Sequence, residues 1–278
     1  MSLAALDARF PGRRALITGG ASGLGLAAAE LLAARGWRLA LLDRDEPRLA
    51  SAAEALRALG SRHCEAFAVD VADEASVKYA VDAFAGRQGG LDLALNSAGV
   101  AAAGSLDETP AADWRWILDI NVLGIVHSCR AEVPHMTAAG RGLVVNVASA
   151  AAFMSAPCMG AYNASKAAVV ALSETLHQEL ARSGLQVAVA MPGFFRTRLM
   201  ERARAPADLR AAARRLMDRS RMGAAAVAQE ILARAAQGEV YLVLPADYRW
   251  LWRFKRFAPR RFMRWLARQG WRPPPQGG

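Results

Sequence analysis

Tyr162 and Lys166 stand four residues apart in the stretch YNASK. On a helix that spacing puts a phenol and an ammonium on one face, one turn apart. Arginine is the habitual cation of this chain: among 35 basic residues only Lys78, Lys166 and Lys255 are lysines. Lysine is a compact charge that responds to its surroundings, whereas arginine is a fixed planar fork. A tyrosine beside such a charge is expected to have its phenolate stabilised and its pKa lowered. It would then donate and accept a proton near neutral pH. The plainer reading is an exposed helical pair worth a few tenths of a kcal/mol.

A second chemistry-bearing stretch lies near the N-terminus, where residues 18–25 read TGGASGLG. Glycines let the backbone turn sharply and approach a pyrophosphate, and the helix start that follows offers free N–H groups. The key glycines are Gly19, Gly23 and Gly25, with Ser22 and Leu24 between them; the spacing is not the plain GxGxxG. Asp43 ends the second apolar run, where an adenine ribose would lie. A carboxylate there can bind the 2′- and 3′-hydroxyls and repel a 2′-phosphate. That favours NAD(H) over NADP(H). Arg44 is the counter-argument, because a guanidinium can pair with a phosphate. Ordinary loop charges are the plain alternative for both.

The scaffold follows from the periodicity. Residues 14–18 (RALIT), 38–42 (RLALL), 65–69, 91–95, 143–147, 186–190 and 239–244 read as strands. Helical stretches fall at 22–35, 47–59, from Asp73 towards Gly86, and at 111–139, 161–182 and 224–236. Gly36 and Gly60 supply helix stops, and Asp73 an N-cap. Residues 194–222 are charged and alanine-rich with a helical middle, and read as a lid. Strands alternating with helices call for a parallel sheet covered on both faces. Right-handed crossovers make it a single doubly wound α/β domain over residues 1–245, followed by a tail over 246–278.

Composition narrows the class. A chain of 278 residues with 54% hydrophobic content can bury one large core. No apolar run reaches spanning length, and residues 1–11 carry Asp7 and Arg9 without a signal-peptide core. Cys64, Cys129 and Cys158 are widely spaced, which points to a reduced, cytoplasmic setting. His63, His127, His135 and His177 make no metal-ligand spacing, so no metal site is expected. The net charge of +10 is concentrated between residues 246 and 278, where nine basic residues face Asp247 alone. The basic balance therefore describes the tail more than the substrate.

Taken in order, TGGASGLG, Asp70-Val71, Asn96-Ser97-Ala98-Gly99, Asn121, Ser149, Tyr162-x-x-x-Lys166 and Pro192-Gly193 resemble the short-chain dehydrogenase/reductase family. The resemblance covers residues 12–245 and implies a Rossmann-type fold, a homodimer or homotetramer, and a four-residue site. Tyr162 would be the general acid/base. Lys166 would lower its pKa and hold the nicotinamide ribose. Ser149 would hold the substrate oxygen, and Asn121 would help hold a relay water. Asp70, with Val71 beside it, would contact the adenine edge. Asn96, Ala98 and Gly99 would wall the nicotinamide, and Pro192, Gly193 and Thr197 would complete the cofactor site, Thr197 at its carboxamide. Ser97 replaces the asparagine usual at its place, which touches only a local hydrogen bond. The implied reaction moves a hydride between a carbinol carbon and the nicotinamide while Tyr162 moves the hydroxyl proton.

Three apolar edges are expected around a substrate: Phe153, Met154, Pro157, Cys158 and Met159 within residues 150–161; Phe194-Phe195; and residues 100–103. They suit a hydrophobic alcohol or carbonyl. The arginines of 196–222 leave a 3-oxoacyl-thioester-type reductase as the alternative, and a non-catalytic, nucleotide-sensing interaction protein is the reading from another class. In the tail, Trp250, Phe254 and Phe257 fall at helical spacing, Pro259 can open a second helix, and Phe262, Trp265 and Leu266 form a second stripe. Such basic, tryptophan-rich helices suit an anionic membrane surface. Packing on the core or a second subunit is weighed equally, nucleic acid comes third, and the final RPPPQGG reads as disordered.

Overall fold

The computed structural model describes residues 3–220 and 222–268. The expected disorder of RPPPQGG lies outside them. Seven strands form one parallel sheet: β1 (Arg14–Thr18), β2 (Arg38–Asp43), β3 (His63–Ala68), β4 (Leu93–Asn96), β5 (Gly142–Val147), β6 (Leu185–Pro192) and β7 (Tyr241–Leu244). Their order is β3-β2-β1-β4-β5-β6-β7, with every neighbouring pair parallel. The direction of travel reverses between β1 and β4. A crevice opens outside the carboxyl ends of the strands at such a point.

The strands β1, β4 and β5 are buried along their whole length, as a sheet covered on both faces requires. One face packs against α2 (Gly23–Ala33), α3 (Glu46–Leu59) and α10 (Ala224–Ala236), around Leu32, Trp37 and Ile231. The other packs against α4 (Glu74–Gln88), α5 (Ala111–Leu118), α6 (Gly124–Ala138) and α8 (Gly160–Glu179), around Phe84, Ile117 and Val169. Asp73 caps α4 by accepting from the Ala75 and Ser76 N–H groups. That helix runs past Gly86 and stops at Gly89, whose φ of 72° is left-handed.

Three local features lay beyond the periodicity. The chain opens on α1 (Ala4–Arg9), whose Leu6 is fully buried and whose Asp7 accepts from Trp37 Nε1 at 2.8 Å. A short α7 (Ala151–Met154) follows β5. The long helix expected over 111–139 is interrupted by a π-turn at Asp119–Leu123, and Asn121 sits inside it. Within the lid, a 3₁₀ turn at Leu199–Glu201 precedes α9 (Ala207–Asp218). The tail forms α11 (Ala246–Phe257) and α12 (Pro259–Arg268), split at Pro259. Among the described residues no helix is long and apolar enough to cross a membrane.

Candidate active site

The glycine loop joins β1 to α2. The Gly19 and Gly20 N–H groups donate to Leu42 O at 2.8 and 3.3 Å, tying the loop to β2. Gly19 and Gly23 have φ of 67° and 56°, where a side chain would be strained. A Cβ on Gly25 would lie 2.4 Å from Gly19 O and 2.7 Å from Ser97 Oγ. Ser97 donates to Thr18 O at 2.6 Å, while the Ser97 and Ala98 N–H groups donate to Thr18 Oγ1. The departure at Ser97 thus still supplies a local bond, one that locks the end of β4 to the loop. Ser22 makes no side-chain cap on α2.

A cleft of about 340 Å³ runs across the strand ends. At the ends of β1, β2 and β3 it is lined by Gly19, Ser22, Gly23, Leu24, Gly25, Asp43, Arg44, Asp70 and Val71; Ala98, Gly99, Pro192, Gly193 and Thr197 also line it, Thr197 Oγ1 lying 3.1 Å from where a Cβ on Gly23 would sit. Asp43 accepts from the Ala21 and Asp45 N–H groups at 3.2 and 3.1 Å, which sets its carboxylate at the end of β2. Asp70 accepts from the Ala72 N–H at 3.0 Å, so it also braces its own turn.

Ser149, Tyr162 and Lys166 meet at the other end. Tyr162 and Lys166 are buried, which removes the exposed-pair reading. Lys166 Nζ donates to Val147 O at 2.9 Å and lies 5.9 Å from the Tyr162 ring centre. Ser149 Oγ accepts from the Ala151 N–H at 3.1 Å, and its hydroxyl bonds to the Tyr162 phenol. Burial holds Lys166 down at about 8. The expectation of a lowered tyrosine is corrected: burial raises the Tyr162 phenol, and the bond from Ser149 opposes it only in part.

Two of the asparagines lie outside the cleft lining. Asn96 does not line the cleft. Its amide donates inward to Asn146 Oδ1 and Glu132 Oε2, both at 3.0 Å, because its side chain leaves β4 on the buried helix-covered face. Asn121 is fully buried, and its amide is committed to backbone and to a neighbour. Its Oδ1 accepts from Val100 N–H at 2.8 Å, and its Nδ2 donates to Val100 O and Ser165 Oγ, both at 3.0 Å. Phe153, Pro157 and Cys158 likewise stay out of the lining, Phe153 as a core residue.

Tyr248 was missed as a site residue. Its ring covers Gly193, where a Cβ would lie 2.5 Å from it, and it closes the cleft beside Met154, Phe194 and Met217. The helical spacing of the tail aromatics was the only signal, and it did not say which face turned inward.

The model for short chain dehydrogenases matches residues 13–208. The chain belongs to that family. A relative, the 2-(R)-hydroxypropyl-CoM dehydrogenase of Xanthobacter autotrophicus, is 34% identical over 241 residues, covering 83% of this chain and 94% of that protein. The D-threitol dehydrogenase of Mycolicibacterium smegmatis is 41% identical over 200 residues, covering 71% and 75%. A short-chain dehydrogenase/reductase from Burkholderia phymatum, solved in complex with NAD, superposes with a TM-score of 0.82 at 32% identity, covering 97% of this chain and 99% of that one. The doubly wound fold and the oxidoreductase class of this short-chain dehydrogenase therefore stand on both sequence and structure.

Proposed function

We propose that the protein is an NAD(H)-dependent oxidoreductase interconverting a hydrophobic secondary alcohol and its ketone or aldehyde, with Tyr162 as general acid/base. The convergence of Ser149, Tyr162 and Lys166 at one end of a cleft whose other end is a glycine cradle carries the reading. The cradle suits a dinucleotide: Gly19 and Gly23 make the tight turn at positive φ, Gly25 lets α2 close on Gly19 and Ser97, and the uncapped start of α2 offers N–H groups to a pyrophosphate. Gly19, Gly23, Gly25, Asp43, Asp70 and Thr197 would hold the cofactor, which accepts or returns a hydride when bound. Asp43 supports NAD(H), although Arg44, the residue that argues for a phosphate, also lines the cleft.

In this reading Ser149 donates to the substrate oxygen. Tyr162 takes the hydroxyl proton during oxidation and returns it during reduction. The Lys166 charge favours the phenolate against the burial that opposes it. Ala150, Met154, Met159, Phe195, Met200 and Met217 exclude water and suit an apolar substrate. The lid arginines weaken the acyl-thioester alternative: Arg198 pairs with Glu201, Arg202 with Asp45, and Arg204 with Asp113 while stacking 4.1 Å over Trp116.

The test is a screen of lipophilic alcohols and ketones with both cofactors, on the wild type and Tyr162→Phe. Turnover is expected with NAD(H), and the variant should bind cofactor yet lose at least about 99% of kcat. Retained turnover in the variant would remove the assignment of Tyr162. Tighter binding of NADP(H) than NAD(H) would overturn the reading of Asp43.

A further inference from the structure

The helix α11 has two working faces. Its inner face closes the cleft through Tyr248 and is tied down by Lys255, whose Nζ donates to Phe153 O at 2.7 Å. Leu251 and Trp252 pack on the core beside them. Its outer face carries Trp250, Arg253 and Phe257 at i, i+3 and i+7, all exposed. Trp250 is 62% exposed and Phe257 89%. On α12, Met263 is 47% exposed, between the exposed Arg260, Arg261 and Arg264. Single exposed apolar side chains are ordinary. Here three of the largest fall within two consecutive helices, and each has exposed arginines as neighbours.

The helices are held mainly by side chains other than the exposed ones. Phe254, Phe262 and Trp265 form an aromatic cluster with ring centres 5.5 to 6.2 Å apart, and Phe262 is fully buried. Arg256 stacks 5.0 Å over Trp252. The hairpin is thus anchored from within; Trp250 touches the cluster through Phe254, with ring centres 5.4 Å apart, yet its outer surface stays in water, as do Phe257 and Met263.

We propose that the α11–α12 hairpin is a docking surface for an anionic phospholipid bilayer, which brings the mouth of the cleft to the lipid. Tryptophan and phenylalanine settle at the headgroup boundary, and arginines complement anionic lipids. Charge complementarity selects this occupant. A second copy meeting the same face would oppose Arg253, Arg260, Arg261 and Arg264 to themselves, with Asp247 as the sole acid of the two helices. Lipophilic substrate would then enter from the bilayer; that clause rests on the oxidoreductase reading above, whereas the docking itself does not.

The test is flotation of the full chain with phosphatidylcholine vesicles, with or without phosphatidylglycerol. The variants are Trp250→Ser/Phe257→Ser, Arg253→Gln/Arg260→Gln and Tyr162→Phe, each checked for folding by circular dichroism. Binding is expected only to the anionic vesicles, weakened about tenfold or more in either double variant and in about 0.5 M salt. Tyr162→Phe should float like the wild type, which separates failure of docking from failure of the catalytic assignment. The proposal is overturned by no flotation with anionic vesicles, by equal binding to both lipids, or by double variants that float unchanged. It is also overturned if Trp250→Ser/Phe257→Ser lowers the sedimentation mass without any vesicle binding, which would make the face a contact between copies. Single-stranded DNA binding in place of vesicle binding would overturn it as well.

Discussion

Glu132 is a carboxylic acid sealed behind the active-site strands. It sits on α6, fully buried, and accepts from Asn96 Nδ2 through Oε2 at 3.0 Å. Its Oε1 and the Asn96 Oδ1 have no partner. Burial pushes its pKa from 4.5 up to about 7, and the Asn96 bond offsets this only in part. That interval corresponds to about 3 kcal/mol. Between the two values the folded chain keeps a proton that the unfolded chain has released. The contribution is therefore fully present below pH 4.5 and is lost as pH rises through about 7. Glu132→Gln keeps the shape and cannot titrate. Its stability relative to wild type should improve by about 3 kcal/mol on going from pH 4.5 to pH 8. Urea midpoints of both proteins at several pH values read this directly, because all other titrations cancel in the difference. A difference that stays constant across that window would refute the assignment of a neutral, buried acid.

Lys166→Met tests the opposite sign. Burial lowers the folded pKa of Lys166 to about 8 from 10.5, so the unfolded chain binds the extra proton between them and wild-type stability rises with pH in that window. The stability advantage of Lys166→Met should shrink by about 2 kcal/mol between pH 7 and 9.5 while activity is lost at both; no shrinkage in denaturant titrations would refute the buried charge. Gly25→Ala forces a Cβ to 2.4 Å from Gly19 O, so a loss of about 1–3 kcal/mol and weakened cofactor binding should appear together in melting and fluorescence titration.

What could be read from the sequence was local or ordered along the chain. The TGGASGLG loop, Asp43, Ser149 and the Tyr162–Lys166 spacing each carry a short-range signature, and the alternation of strands and helices fixes the sheet around them. Asn96 and Phe153 were misjudged because which side of a strand end or short helix faces the cleft depends on packing from distant elements. The Tyr162 phenol was misjudged because the neighbouring charge is visible in the sequence and the burial is not. Tyr248 was missed because it belongs to a helix whose inner face is chosen only when α11 lands on Gly193 and Phe153.

Asn121 shows how a residue outside the cleft lining can set the geometry within it. The π-turn places its side chain between the exit of β4 and the start of α8. There it clasps both backbone groups of Val100 and donates to Ser165 Oγ. Ser165 in turn donates to the Tyr162 carbonyl oxygen at 2.8 Å. An unbroken chain of hydrogen bonds thus runs from the loop below Gly99 to the backbone of Tyr162. Lys166 is pinned separately to Val147 O, and Ser149 to the Ala151 N–H. Each of the three converging residues is therefore referenced to β5, to the start of α7 or to the β4 exit by backbone contacts. A regular α-turn in place of the π-turn would rotate Asn121 out of this clasp, release Val100 and Ser165 together, and loosen the floor of the cleft without altering any group that lines it.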